Sequence, residues 1–145
     1  MRVERSIEIA RPREEVFAFV ADPLNDMRWC SRVKSVEQVE GNGPAPGARY
    51  AVVHQPVKLR KASQLDHRIV ELTPPGRIRF REEDDDGVFD VVYELEESPA
   101  GTRLTQRDHL DLKLPRLLWP IARRNVGRHL TEQLEALKRL LERRD

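Results

Sequence analysis

Residues able to do chemistry stand where two otherwise apolar patterns are interrupted. From Thr102 to Leu112, the residues Leu104, Gln106, Asp108, Leu110 and Leu112 repeat with a period of two, so they share one face of a strand. A carboxylate on a buried face is costly unless paired or hydrated, and one kept there could shuttle protons. Two placements of Asp108 are open: toward an interior, or near the end of its strand and in water. Further on, Asn125 and His129 are four residues apart in a helical pattern, beside Val126 and Leu130, so they stack on one flank. His129 could there hydrogen-bond a carbonyl or hydroxyl, or act as acid or base; the competing reading is an edge residue in solvent. Asp108 and His129 are thus the catalytic candidates, and neither lies in a recognisable catalytic motif.

Other residue groups point away from chemistry. Gly41 to Gly47 (GNGPAPG) lacks the dinucleotide-binding spacing, and its two prolines remove backbone donors that a phosphate would need. It reads as a hairpin loop. Glu82 to Gly87 resembles a calcium loop only faintly, because the bidentate acid required at the twelfth position falls on Tyr93. A solvated hairpin is expected. His54, His67, His109 and His129 show no metal-ligand spacing, so neither a metal nor a cofactor is expected. Arg123, Arg124 and Arg128 form a basic flank, read as a solvated face. Trp29 and Tyr50 offer aromatic area with a polar handle, either at a cavity mouth or in ordinary packing.

Composition narrows the class. The chain has 145 residues, with 26 Lys+Arg against 25 Asp+Glu and a net charge of +1. One domain over residues 1–145 is expected. Nothing in that balance draws the chain to nucleic acid or an anionic membrane. Cys30 is the single cysteine, which allows no intrachain disulfide and fits a reducing, cytoplasmic setting. No leader is expected, and the longest apolar run, Val16 to Ala21, is too short for stable membrane insertion. A monomer or homodimer is the expected state.

The elements that would hold these residues follow from periodicity. Val3, Ile7 and Ile9 alternate with polar residues, interrupted by Arg5, and predict a half-buried strand. Pro12 opens a short helix from Arg13 to Ala21, and Asp22 can cap a second through about Cys30. Six strands follow: Val33–Glu40, Arg49–Gln55, Leu59–Leu72, Arg77–Glu83, Val88–Glu96 and Thr102–Leu112. Phe89, Val91, Tyr93 and Leu95 share one face of the fifth, while Asp90, Glu94, Arg103, Arg107 and His109 line the opposite side of the last two. From Pro115 to Arg143 runs an amphipathic helix with Leu118, Ile121, Ala122, Val126, Leu130, Leu134, Leu137 and Leu141 on one stripe. Pro120 predicts a kink or a late start. Short connections favour an antiparallel meander, and a curved sheet wrapped round one long helix satisfies every apolar face.

This order, with the residues at its joints, resembles the START/Bet v 1-like superfamily (SRPBCC), the polyketide cyclase/dehydrase and lipid-transport family. The resemblance rests on Ser6–Ile9, Pro12 with Glu15-Val16-Phe17, Asp22-Pro23 before Trp29, Gly43–Tyr50, Ile69–Pro75, Gly101–Thr105 and the closing Leu137–Leu141. It covers essentially the whole chain, and its motifs mark a fold rather than a reaction. It implies an α+β helix-grip fold: about seven antiparallel strands around a long C-terminal helix, with two short helices after the first strand. It also implies a cavity between sheet and helix for a small hydrophobic molecule such as a lipid, isoprenoid or polyketide. The ligand-facing candidates are then Trp29, Tyr50, Phe89, Val91, Tyr93, Leu95, Leu104, Gln106, Asp108, Leu118, Ile121, Asn125, Val126 and His129. Binding, transport or sequestration is the first expectation. An aromatase/cyclase-like reaction using Asp108 and His129 is the alternative, and an interaction module is a third.

Overall fold

A computed structural model describes residues 1–55, 59 and 61–143. The elements run β1 (Arg2–Ile9), α1 (Arg13–Val20), a 3-10 turn (Pro23–Arg28), β2 (Val33–Glu40), β3 (Arg49–His54) and β4 (Ser63–Thr73). Then come β5 (Arg77–Asp84), β6 (Gly87–Ser98), β7 (Gly101–Leu112), a 3-10 turn (Arg116–Leu118) and α2 (Trp119–Glu142). The seven strands form one sheet in the order β1-β7-β6-β5-β4-β3-β2. Every neighbouring pair is antiparallel. The fold is α+β, with the sheet packed on the long C-terminal helix and the short helices following the first strand, as the sequence predicts. No helix among the described residues is long and apolar enough to cross a membrane.

Two boundaries move. The strand expected from Leu59 begins at Ser63, and Leu59 is an exposed turn residue. The expected break at Pro56 lies outside the described residues. The long helix starts at Trp119 rather than Pro115. Pro120 cannot donate a backbone N–H, so it fits the first turn, where that hydrogen bond is not required. The Trp119 indole Nε1 donates to the Leu114 carbonyl at 3.1 Å and ties this start to the end of β7.

The core lies between the sheet's inner face and the C-terminal half of α2. Leu130, Leu134, Leu137 and Leu141 are buried there, with Ile9, Leu95 and Leu104 among the residues beneath. Each such side chain contributes about 1.5–3 kcal/mol by leaving water. The start of α2 and the turn before it are different: Leu117 and Leu118 of the 3-10 turn and Ile121 of the helix are exposed. Arg5, the interruption in β1, lies under the helix. A Cβ at position 127 would sit 2.3 Å from an Arg5 guanidinium nitrogen, so Gly127 makes room for it. Arg5 Nε donates to Thr131 Oγ1 at 3.3 Å. The far end of α2 is latched to the β1–α1 corner. Arg11 Nε donates to the Leu141 carbonyl at 2.9 Å, and the Ala10 amide donates to Glu142 Oε2 at 2.8 Å.

The outer face carries the expected charge pairs. Arg107 bonds both Glu4 and Glu94, and Arg103 pairs with Glu8. Partly exposed pairs of this kind contribute little each. The Asp84–Gly87 stretch is a hairpin turn, with Asp84 Oδ1 accepting from the Asp86 and Gly87 amides at 2.8 and 3.2 Å.

Candidate functional site

The register of the sheet assembles its inner face in rows. Tyr50 of β3 pairs with His67 of β4, and His67 with Glu82 of β5. Glu82 pairs with Phe89 of β6, and Phe89 with Leu110 of β7. One row on, Ile69, Phe80, Val91 and Asp108 stand side by side. Then come Ile78, Tyr93 and Gln106, and beyond them Leu95 and Leu104. Alternation sends these side chains to one face, and all are buried or half-buried.

Rings form a continuous track across this face. His67 lies 6.0 Å from Tyr50 and 4.5 Å from Phe80, Phe80 lies 5.9 Å from Tyr93, and Tyr93 lies 6.5 Å from Trp29. Trp29 is not on the sheet. It follows the Pro23–Arg28 turn, which Asp22 caps by accepting from the Leu24 amide at 3.1 Å. The same turn buries Asp26, whose carbonyl accepts from the Trp29 and Cys30 amides. So one short turn places an indole and a carboxyl against the aromatic track.

Among the described residues, four buried polar atoms on this inner face and the turn against it have no hydrogen-bond partner: Trp29 Nε1, Tyr50 Oη, His67 Nε2 and Gln106 Oε1. Buried polar atoms are normally paired, and an unpaired one costs about 1–3 kcal/mol. Other polar atoms here are held. His67 Nδ1 and Glu82 Oε2 are 2.8 Å apart. His54 Nε2 and Asp84 Oδ2 are 2.9 Å apart, nearer the β5–β6 hairpin. Gln106 Nε2 donates to Asp108 Oδ1 at 3.1 Å.

Burial sets the acidities. It raises the Asp108 carboxyl to about 7 against the weaker opposing bond from Gln106. It likewise raises Asp26 to about 7, partly offset by His67. Burial also pushes the Tyr93 phenol and the Cys30 thiol well up. For His67, burial pushes down, but the Glu82 bond and the fields of Glu82, Asp26 and Asp66 outweigh it and leave the imidazole above its ordinary value. His129 moves the other way, to about 4, through burial and then the positive charge of Arg32.

The structure brings together Trp29, Tyr50, Phe89, Val91, Tyr93, Leu95, Leu104, Gln106 and Asp108. Of the two placements open to Asp108, it occupies the buried one. Val126 packs with Val3, Leu110 and Leu130 at the margin of this face. Leu118 in the turn before α2, and Ile121 and Asn125 on its first turns, are not brought to it: all three are exposed, and Asn125 Oδ1 accepts from Arg128 at 3.0 Å. His129 is half-buried beside Arg32 and Gln133. Beside the first turns of α2, a cleft of about 610 Å³ opens between β1 and α2, walled by Arg2, Arg5, Arg123 and Arg124 among others.

Sequence reasoning missed His67, Glu82 and Asp26. The signal for the first two was present. Leu65-His67-Ile69 and Ile78-Phe80-Glu82 are apolar alternations with a polar member, as in the β7 pattern that singled out Gln106 and Asp108. Asp26 gave no such signal, because a 3-10 turn has no long periodicity to interrupt. Among the described residues, no group of three or more His, Cys, Asp or Glu could hold a metal ion.

Comparison with known proteins places this geometry. The chain matches the family model described as polyketide cyclase / dehydrase and lipid transport over residues 1–142. It is similar in fold to TTHA0849 from Thermus thermophilus, at 20% identity and a TM-score of 0.82, with all of both chains covered. A START superfamily protein from Mycobacterium smegmatis superposes with a TM-score of 0.80 at 15% identity, covering 98% of this chain and 97% of that one. Ara h 8.0201 gives a TM-score of 0.68 at 18% identity, with 95% of each chain covered. No curated protein matches the sequence. A seven-stranded antiparallel sheet closed by a C-terminal helix, matched by the family model along almost its whole length, makes this chain a member of the polyketide cyclase/dehydrase and lipid transport family.

Proposed function

We propose that the protein binds a small hydrophobic molecule carrying oxygen groups, such as a lipid, isoprenoid or polyketide, against the inner face of the sheet. The observation that carries this reading is the set of four buried polar atoms without partners on a lining of mostly apolar and aromatic side chains. A ligand of that kind covers apolar surface and supplies the missing hydrogen bonds, the usual division of labour in small-molecule sites. Family membership points the same way. Trp29, Tyr50, Tyr93, Gln106 and Asp108 are the residues proposed to meet it, with the cleft between β1 and the start of α2 as the way in. Transport and sequestration are both served by such binding.

The test is native mass spectrometry of protein purified from cells, joined to a thermal-shift screen of fatty acids, isoprenoid alcohols and aromatic polyketides. A binder at 100 times its Kd stabilises the fold by about 2.7 kcal/mol. Absence of any co-purifying mass and of any shift across the three classes overturns the reading.

A second reading, a cyclase-like reaction on a polyketide chain, is favoured by one observation. Asp108 and Asp26 are both raised to about 7, the range suited to proton transfer near neutral pH. It requires turnover that falls in Asp108→Asn; unchanged turnover removes Asp108 from that role.

A further inference from the structure

We propose that Glu82 and His67 form a ligand-anchoring dyad, in which the Glu82 carboxylate holds Nδ1 of the imidazole and thereby aims Nε2 at a carbonyl, enol or phenol oxygen of the bound molecule. This rests on the ligand-binding reading above and adds the chemistry of one end of the ligand.

Three observations carry it. First, the imidazole is fixed. Its Nδ1 lies 2.8 Å from Glu82 Oε2 across the β4–β5 register pair. Its ring is set between Tyr50, nearly perpendicular at 83°, and Phe80 at 4.5 Å. Second, Nε2 is buried without a partner in a side chain only 3% exposed. A pair that served the fold alone gains nothing from an unsatisfied nitrogen at its far side. Third, Nε2 is not the only such atom here. Tyr50 Oη on β3 and Trp29 Nε1 after the Pro23–Arg28 turn are also unpartnered, and both are able to donate.

The sign of the site follows from what faces His67. Glu82 reaches it from β5, Asp26 from the turn and Asp66 from its own strand, and Tyr50 of β3 contributes a neutral phenol. Burial opposes charge on the ring, but the charged groups acting on it are all carboxyls and together outweigh burial, so they favour the imidazolium, whose Nε2–H is a donor. The ligand atom there is therefore an acceptor. On β7, three strand spacings across the sheet and four residues along it, roughly 20 Å away in all, the unpartnered atom is the Gln106 carbonyl oxygen, which accepts. A molecule that satisfies both ends has an acceptor oxygen at the β4 end and a hydroxyl or other donor at the β7 end, joined by a flat apolar body over Phe80 and Tyr93.

The experiment compares 2-acetylnaphthalene with 2-ethylnaphthalene, which share a shape and differ in the carbonyl. Dissociation constants are measured for the wild type, His67→Phe and Glu82→Gln. The wild type is expected to prefer the ketone by about tenfold, the strength of a hydrogen bond from a charged donor. His67→Phe is expected to bind both probes alike, and Glu82→Gln to lose most of the preference. An equal preference in wild type and His67→Phe overturns the dyad and leaves the ligand-binding reading standing. Binding of neither probe by the wild type overturns the dyad, and the three-class screen above then decides the ligand-binding reading. Long-range ¹H–¹⁵N spectra of the wild type decide the matter if a variant fails to fold. Saturation with the ketone must shift His67 Nε2 more than Nδ1, and an unmoved Nε2 overturns the dyad.

Discussion

Replacing Asp108 by Asn should stabilise the protein, and by an amount that depends on pH. Asp108 is 8% exposed on the inner face of β7. Burial raises its carboxyl from an ordinary 3.8 to about 7. In the folded state the proton is therefore held to about 7, while the unfolded chain releases it near 3.8. Between those values the folded state binds more protons than the unfolded state, so this residue makes stability fall as pH rises. At about 1.4 kcal/mol per pH unit, the full cost of charging Asp108 in place is on the order of 4 kcal/mol, reached above about pH 7. Asn is neutral throughout and keeps an oxygen to accept from Gln106 Nε2, 3.1 Å away in the wild type. The variant should match the wild type near pH 4 and exceed it by up to about 4 kcal/mol near pH 8. Asp26 titrates in both proteins and cancels in the difference. Urea unfolding followed by tryptophan fluorescence at several pH values measures it. A difference that stays constant with pH, or a variant less stable near pH 8, refutes the account of a carboxyl destabilised by burial.

Leu137, fully buried on the sheet-facing side of α2, should cost about 2–5 kcal/mol on change to Ala. Ile121→Ala on the first turns of α2, where the side chain is 62% exposed, should stay within about 0.5 kcal/mol by the same urea assay. NMR titration should place His129 at a midpoint of about 4, and Arg32→Ala should move it upward without restoring it fully, because burial is the larger cause; a wild-type midpoint of 6.5 or above contradicts this. Gly101→Ala would put a Cβ 2.7 Å from the Ile9 carbonyl oxygen and 2.8 Å from Arg11 backbone atoms. It should destabilise by about 1–3 kcal/mol and speed hydrogen exchange in β1 ahead of β4.

Strands with long alternations were readable because one buried face leaves a period-two trace, and β6 and β7 show it almost without interruption. Arg5 broke that trace in β1, and its resolution lay far away at Gly127. No local pattern links a guanidinium to a glycine more than a hundred residues later. The stripe on α2 was legible as a stripe, but periodicity cannot tell which part of it finds a partner. Leu134 and Leu137 do, whereas Leu118 and Ile121 do not. The inner-face polar groups split in the same way. Gln106 and Asp108 were visible as exceptions in β7. The pairing of His67 with Glu82 needed the β4–β5 register, which a bulge between Ile69 and Glu71 shifts by one residue.

The sheet closes in an order unlike that of synthesis. β1 is made first, yet among the described residues it pairs only with β7, with Arg2 opposite His109 and Ile9 opposite Thr102. At roughly 5–20 residues per second, the roughly one hundred residues between partners take about 5–20 seconds to emerge from the ribosome. During that interval β2 to β6 can form by successive hairpins, while Val3, Ile7 and Ile9 wait with no edge to join. The helix that covers them is made later still. Nascent chains halted before Leu112 should therefore be sticky and short-lived, and ribosome-bound fragments of increasing length should gain protease resistance in one late step.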